Sequence, residues 1–310
     1  MRVVFELRPR AGELVLPLHY HSLLQGLVYN LMAGSEVAEF LHDQGFRRGA
    51  RRYKLFTFSR LEGSYEIVRW NGRGESDRAA IATGDEPATG PAGAGAPAGS
   101  EGSLPGHPQC PAHRRDRFIR YSGGVRFTLS SPYAPVCHVT ATRALQEGEV
   151  RLGTQAAEVD AVRFEELPRF SVPVRIRART PITVYSTLNR PDGSRFTYFF
   201  EPRSGEFERL VAENLVRKWE AFTGRPYDGP GMRIRWRGPA RGHVVRFRHG
   251  IVKGYTGWFE ADGDAELIAL GLEAGFGSKN AQGFGLCDLV QPAPLGRAQE
   301  HGRGTAQGAD

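Results

Sequence analysis

Cysteine is scarce in this chain: Cys110, Cys137 and Cys287 are the only three in 310 residues, too few and too scattered for a disulfide framework or a four-cysteine zinc site. Long apolar runs are also missing. The first residues, Met1-Arg-Val-Val-Phe-Glu-Leu-Arg8, alternate charge with apolar side chains, so neither a signal peptide nor a membrane span is read there and a cytoplasmic protein is expected. Acid is in deficit, with 34 Asp and Glu against 41 Lys and Arg and a net charge of +7. Lysine is rare beside arginine, whose planar fork suits phosphates and base edges better than a point charge does. The balance favours an anionic partner, with nucleic acid the leading class and no membrane expected. His107-Pro-Gln-Cys110-Pro-Ala-His113 has metal-like spacing but sits in low-complexity sequence, and no convincing carboxylate cluster exists elsewhere, so neither metal nor cofactor is expected.

Large apolar side chains are nearly absent from about Arg73 to Arg115, which includes Ala-Thr-Gly-Pro-Ala-Gly-Ala-Gly-Ala-Pro-Ala-Gly-Ser. Such a segment buries too little surface to offset its ordering entropy. It reads as a disordered insertion at about 73–115 between two strands, and 295–310 reads as a disordered tail. The remainder alternates strands and helices. Val3, Phe5 and Leu7 mark a half-buried first strand, and Leu24, Leu27, Val28 and Leu31 recur at helical spacing. A short helix opens after Ser35 and ends before Gly45. Strands follow at 53–59 and 65–70, another strand or a hairpin lies within 118–130, then come a helix at 134–146 and strands within 150–164. From Phe170 the scheme repeats: strands at 172–184 and 196–201, a helix at 207–222, strands at 232–237 and 243–260, a helix at 264–274 and a strand at 286–290. The fold class expected is α+β, two tandem ferredoxin-like (βαββαβ) domains spanning 1–168 and 169–294, with the boundary near Pro168.

Two features of the second half suit phosphate. The segment Gly275-Phe-Gly-Ser-Lys-Asn-Ala-Gln-Gly-Phe-Gly285 brackets a lysine-bearing loop with two Gly-Phe-Gly triplets. Glycine turns through positive φ and brings several N–H groups near an anion, so Gly275, Gly277, Lys279, Gly283 and Gly285 are read as a phosphate cradle in preference to a turn packed tightly on a sheet. No Gly-x-Gly-x-x-Gly starts at Gly275 or Gly283 and no Gly-Lys-Ser/Thr is present, which argues against a mononucleotide site. Arginine also alternates with apolar residues on three strands: Arg175, Arg177 and Arg179; Arg233, Arg235 and Arg237; Arg246 and Arg248. Period two puts each set on one sheet face, and like charges without interleaved acids call for a polyanion. Tyr255 and Trp258 lie beside that face as candidates for base stacking.

Chemistry is expected on the N-terminal helices. At 100° per residue, Tyr29 and His42 each lie about 150° from the apolar stripe of their helix. They form a candidate acid and base pair, and His42 sits in a last helical turn, where the dipole favours imidazolium while Arg47, Arg48 and Lys54 oppose it. His19 and His21 are rivals that precede or open the first helix.

Several blocks, in order along the chain, resemble the CRISPR-associated repeat-processing endoribonucleases, the Cas-six family: Leu16-Pro17, Leu24-Gln-Gly-Leu-Val-Tyr-Asn30, Phe40-Leu41-His42, Lys54-Leu-Phe-Thr-Phe-Ser59 and Glu273 to Gly285. The resemblance implies that Tyr29, His42 and Lys54 match the family's catalytic tyrosine, histidine and lysine. The extra stretch Phe46 to Tyr53 leaves Arg51 or Arg52 as alternatives to Lys54. It implies a metal-independent endoribonuclease that cuts CRISPR precursor RNA within repeats, leaving a 2′,3′-cyclic phosphate and a 5′-hydroxyl. Repeat RNA is the expected partner, with effector-complex subunits and a second copy of the chain as further ones. The alternatives are a non-catalytic repeat-binding subunit of an effector complex and an unrelated nucleic-acid-binding module.

Overall fold

The computed structural model describes residues 1–70, 76–79, 117–248 and 250–290. The tail, the His107/Cys110/His113 cluster and most of the expected insertion lie outside the described residues.

The first half runs β1 (Arg2–Pro9), β2 (Glu13–Pro17), α1 (His21–Met32) and α2 (Glu36–Glu39), which continues into a π-helical turn at Phe40–Gln44. The hairpin β3 (Phe46–Arg48) and β4 (Arg51–Tyr53) follows, then β5 (Thr57–Phe58), β6 (Tyr65–Trp70), β7 (Ser76–Ala79), β8 (Arg117–Ser122) and β9 (Val125–Ser130). α3 (Ala134–Glu147), β10 (Glu149–Leu152) and β11 (Gln155–Glu165) complete it. β7 corrects one expectation: Ser76–Ala79 falls in the compositional insertion yet pairs antiparallel with β6, because a ladder needs backbone groups and not apolar side chains.

The second half runs β12 (Val174–Ala178), β13 (Tyr185–Asn189), β14 (Arg195–Phe199), α4 (Gly205–Thr223), β15 (Met232–Phe247), β16 (Gly250–Gly263), α5 (Ala265–Ala274), a 3-10 turn at Asn280–Gln282, and β17 (Cys287–Leu289). β14 lies outside the main sheet. It pairs instead with β13 as a separate two-stranded arm. β15 runs straight through Gly238 and Pro239, where a break was expected, because the register shifts between Arg237 and Arg241 and leaves the proline's missing N–H outside the ladder.

The two main sheets have strand orders β10-β11-β1-β9-β5 and β15-β16-β12-β17. Val3, Phe5 and Leu7 of β1 meet Leu24, Leu27 and Leu31 of α1 and Val136 and Ala144 of α3 in one core. Ile176, Ile234 and Phe259 meet Phe207, Val211 and Leu215 of α4 and Leu267 and Leu272 of α5 in the other. Each such side chain withdrawn from water contributes about 1.5–3 kcal/mol before entropy is counted. Arg2 joins the two halves through Asp288 and the Cys287 carbonyl, Arg179 through Glu62, and Thr57 Oγ1 donates to the Phe284 carbonyl at 3.0 Å. No helix among the described residues is long and apolar enough to cross a membrane.

Candidate active site

α1 buries Leu24, Leu27, Val28 and Leu31 and leaves Tyr29 half-buried off that stripe, its ring edge-on to Phe56 at 6.0 Å. The next helix starts where Ser35 Oγ accepts from the Ala38 amide at 3.2 Å. Its end is not α-helical. The π turn at Phe40–Gln44 adds a residue, buries Leu41 and leaves the His42 side chain 84% exposed, with Nδ1 2.6 Å from Asp43 Oδ1. The turn stops at Gly45, whose φ is +57° and where a Cβ would stand 3.1 Å from the Tyr53 carbonyl. The extra stretch after it is the β3–β4 hairpin, which brings the chain back to Lys54.

Lys54 Nζ donates to Tyr29 Oη at 2.6 Å. Arg52 is occupied differently, donating to the Asp43 carbonyl at 3.0 Å and closing the C-terminal end of the π turn. Lys54 is therefore the cation on the tyrosine, and Arg51 and Arg52 stand farther along the same wall.

Tyr29, His42 and Lys54 line one cleft of about 1260 Å³ at the seam between the halves. Its opposite walls come from Lys218 of α4, Gly277, Ser278 and Lys279 of the glycine-rich segment, Arg248 and Ile251 at the β15–β16 turn, and Tyr185 and Thr187 of the arm. No carboxylate is among the described residues that line it, and three of the chain's four lysines are. Among the described residues no group of three His, Cys, Asp or Glu is placed to hold a metal ion.

The glycines do less of the contacting than their sequence suggests. Gly275, Gly283 and Gly285 are buried behind the cleft, and of the expected cradle Gly277 and Lys279 line it. The amides of Phe276, Ser278, Gly283 and Gly285 already donate to protein carbonyls. Asn280 clamps the loop, its Nδ2 donating to the carbonyls of Phe276 at 3.2 Å and Phe284 at 2.9 Å. A Cβ on Gly285 would lie 2.0 Å from the Phe276 carbonyl oxygen, so tight packing demands glycine there. Lys279 has φ of +61° and holds Nζ 5.0 Å from the centre of the Tyr185 ring, and burial lowers its pKa.

Lys218 was missed. It is 3% exposed and donates to the carbonyls of Gly275 at 2.6 Å and Gly277 at 2.9 Å, and burial pushes its pKa down to about 7. The signal was available: Phe207, Val211, Leu215 and Lys218 follow one another down the buried face of α4, so a lysine occupies a core position.

The basic face also differs from expectation. Arg175 and Arg177 of β12 and Arg233, Arg235 and Arg237 of β15 share a sheet face, but β16 runs between them and supplies acids. Glu260 stands opposite both Arg175 and Arg235, and Asp262 opposite Arg233. Arg237 donates to Glu260 at 3.1 Å, and Arg177 pairs across from Asp288 while its guanidinium stacks 5.4 Å over Trp258. The acids were legible in β16, but its place between the arginine strands was not. Of the expected arginines only Arg248 lines the cleft. Tyr255 is half-buried and packs edge-on to Phe207, whereas Trp258 is exposed.

Residues 165–289 match the family model described as CRISPR associated protein Cas6, C-terminal. The chain is similar to the CRISPR-associated endoribonuclease Cas6 1 of Methanocaldococcus jannaschii, with 26% identity over 184 residues that cover 57% of this chain and 68% of that protein. It is 25% identical over 306 residues to the CRISPR-associated endoribonuclease Cas6 of Pyrococcus furiosus, covering 97% and 92% of the two. Among solved structures, the product of a Cas6-related gene from Pyrococcus furiosus shares the fold with a TM-score of 0.69 at 16% identity, over 94% of this chain and 98% of the other. A structure described as CRISPR associated protein Cas6 gives a TM-score of 0.63 at 22% identity, over 94% and 99%.

Proposed function

The chain belongs to the Cas6 family, and from that premise we propose that it is a metal-independent endoribonuclease which cuts CRISPR precursor RNA within each repeat. The observation that carries the reading is the Lys54–Tyr29 contact inside a cationic cleft that His42 also lines and whose lining, among the described residues, holds no carboxylate. The two curated relatives bear the name endoribonuclease. A protein of like fold, with a TM-score of 0.66, is described as binding different RNA substrates. The strand orders support two tandem ferredoxin-like domains, 1–168 and 169–294: in each main sheet the four strands of a β-α-β-β-α-β run lie in the order second, third, first, fourth.

RNA carries its own nucleophile. The 2′-hydroxyl oxygen attacks the adjacent phosphorus and loses its proton, the bond to the 5′-oxygen breaks, and that oxygen takes a proton. The products are a 2′,3′-cyclic phosphate and a 5′-hydroxyl. The protein has to align the attack, move two protons and steady charge on the phosphate. Exposed His42 protonates the leaving oxygen. Tyr29, its phenol oxygen fixed by Lys54, receives or orients the 2′-hydroxyl. Lys54 and Lys279 face the phosphate from opposite walls, and lysines take the place that carboxylates would occupy at a metal centre.

The test is cleavage of repeat RNA in excess chelator by wild type and His42→Ala. Wild type is expected to cut, and the variant to bind the RNA with nearly unchanged affinity and cut about 10²–10⁴-fold more slowly. A magnesium requirement, or a His42→Ala variant of undiminished rate, contradicts the reading.

A further inference from the structure

We propose that the N-terminal end of α1 forms a second phosphate site for the same RNA, centred on His21, with His19, Arg60 and His243 acting on His21 and Arg246 on His19, about 12 Å along the helix from Tyr29 at about 1.5 Å per residue. The site rests on the RNA reading above and extends it beyond the reacting bond.

His21, Gln25 and Tyr29 are spaced i, i+4, i+8 and form one row along α1. Gln25 and Tyr29 line the catalytic cleft, Gln25 Nε2 donates to the Ala281 carbonyl at 2.7 Å, and Arg248 reaches Gln25 Oε1 at 3.4 Å. The row continues past the cleft to the first turn of a 12-residue helix that has no side-chain cap. Amides without intrahelical partners and the helix dipole both favour an anion at such an end.

His21 supplies independent support. It is 3% exposed, its ring stacks on Phe284 at 5.4 Å, and neither ring nitrogen has a hydrogen-bond partner. Buried polar groups are nearly always paired, so two orphaned nitrogens on one ring point to an absent ligand. Arg60 lies 5.5 Å over the ring of Tyr20, the residue before it. His243 projects from β15 with Nε2 2.7 Å from Thr256 Oγ1.

The charges acting on the three histidines are cationic. After burial, His19 is lowered by Arg246, Arg60 and Arg117, His243 by Arg241 and Arg60, and His21 by Arg60, His19 and His243. Burial with those cations holds His21 at about 3 and His243 at about 4. Cations gathered from separate chain segments repel one another, and a phosphate relieves that repulsion while accepting from the histidine N–H groups.

Exposed Arg246 and His19 permit a test that spares the buried residues. The double variant Arg246→Gln/His19→Gln is compared with wild type, with thermal melts to confirm folding, on repeat RNA carrying one neutral methylphosphonate at successive positions on either side of the scissile bond. In wild type, one modified position away from the cut is expected to weaken binding. The double variant should be insensitive at that position, and its log affinity against log salt should be shallower by about 0.7, for the one phosphate charge left without its cation. Equal salt slopes, or equal methylphosphonate effects in the two proteins, overturn the second site. Wild type that binds this RNA without cutting it overturns the nuclease reading and leaves the phosphate contact measurable; wild type that does not bind it overturns both.

Discussion

Lys54, Lys218 and Lys279 meet at one cleft in a chain whose other cations are almost all arginine. A compact ammonium with rotatable donors fits these places better than a rigid planar fork. Lys218 shows why, since one Nζ holds two carbonyls of the glycine-rich loop. Lys218→Met is expected to destabilise the fold by about 1–3 kcal/mol for each carbonyl left unpaired, and to slow cleavage by loosening the segment that carries Lys279. A pH signature accompanies the loss. The folded-state pKa is about 7 against an ordinary 10.5, so between those values the unfolded chain binds the proton and the folded chain does not. Stability due to this group therefore rises from pH 7 to 10.5 and is lost as pH falls to 7. Chemical denaturation of wild type and variant across that range should show the difference narrowing as pH falls. An unchanged difference would show that Lys218 keeps its charge when folded.

Helices were the most legible elements, because 3.6-residue periodicity, the Ser35 cap and the Gly45 stop are local signals. The arm of β13 and β14 was not legible, since a strand's pattern does not say which sheet it joins. The same holds for β16, whose acids interrupt the arginine face only through its position. The glycine-rich segment was recognisable as special, but positive φ serves an inward fold of the loop as well as an anion nest, and packing distances decide between them. Gly283 has φ of +86°, and a Cβ there would stand 2.5 Å from Phe58 Cε2. Gly283→Val is expected to cost about 1–2 kcal/mol in backbone strain and about 1–3 kcal/mol in overpacking. Gly26→Ala, in α1 with open space around its Cβ, should stabilise by about 0.5–1 kcal/mol. Thermal melts in which Gly283→Val matches wild type would remove the packing account of the loop.

Across the whole molecule, the candidate site exists because two halves close on one another. Tyr29, His42 and Lys54 come from the first, Lys218, Arg248 and Lys279 from the second, and Arg2, Arg179 and Thr57 tie the seam. Tyr29 and His42 were legible as residues turned from their helices' apolar stripes, and the family resemblance supplied Lys54. The contact of Lys218 with the glycine-rich loop and the gathering of Arg60 and His243 on His21 needed the fold, because they join parts of the chain far apart in sequence. The account stands on the RNA providing its own nucleophile, and that is tested most directly with repeat RNA bearing a single 2′-deoxy sugar just upstream of the cut, in excess chelator. The account predicts that wild type binds this RNA as it binds the unmodified one and leaves it intact, while the unmodified RNA yields a 2′,3′-cyclic phosphate and a 5′-hydroxyl. Cleavage of the deoxy substrate would contradict it.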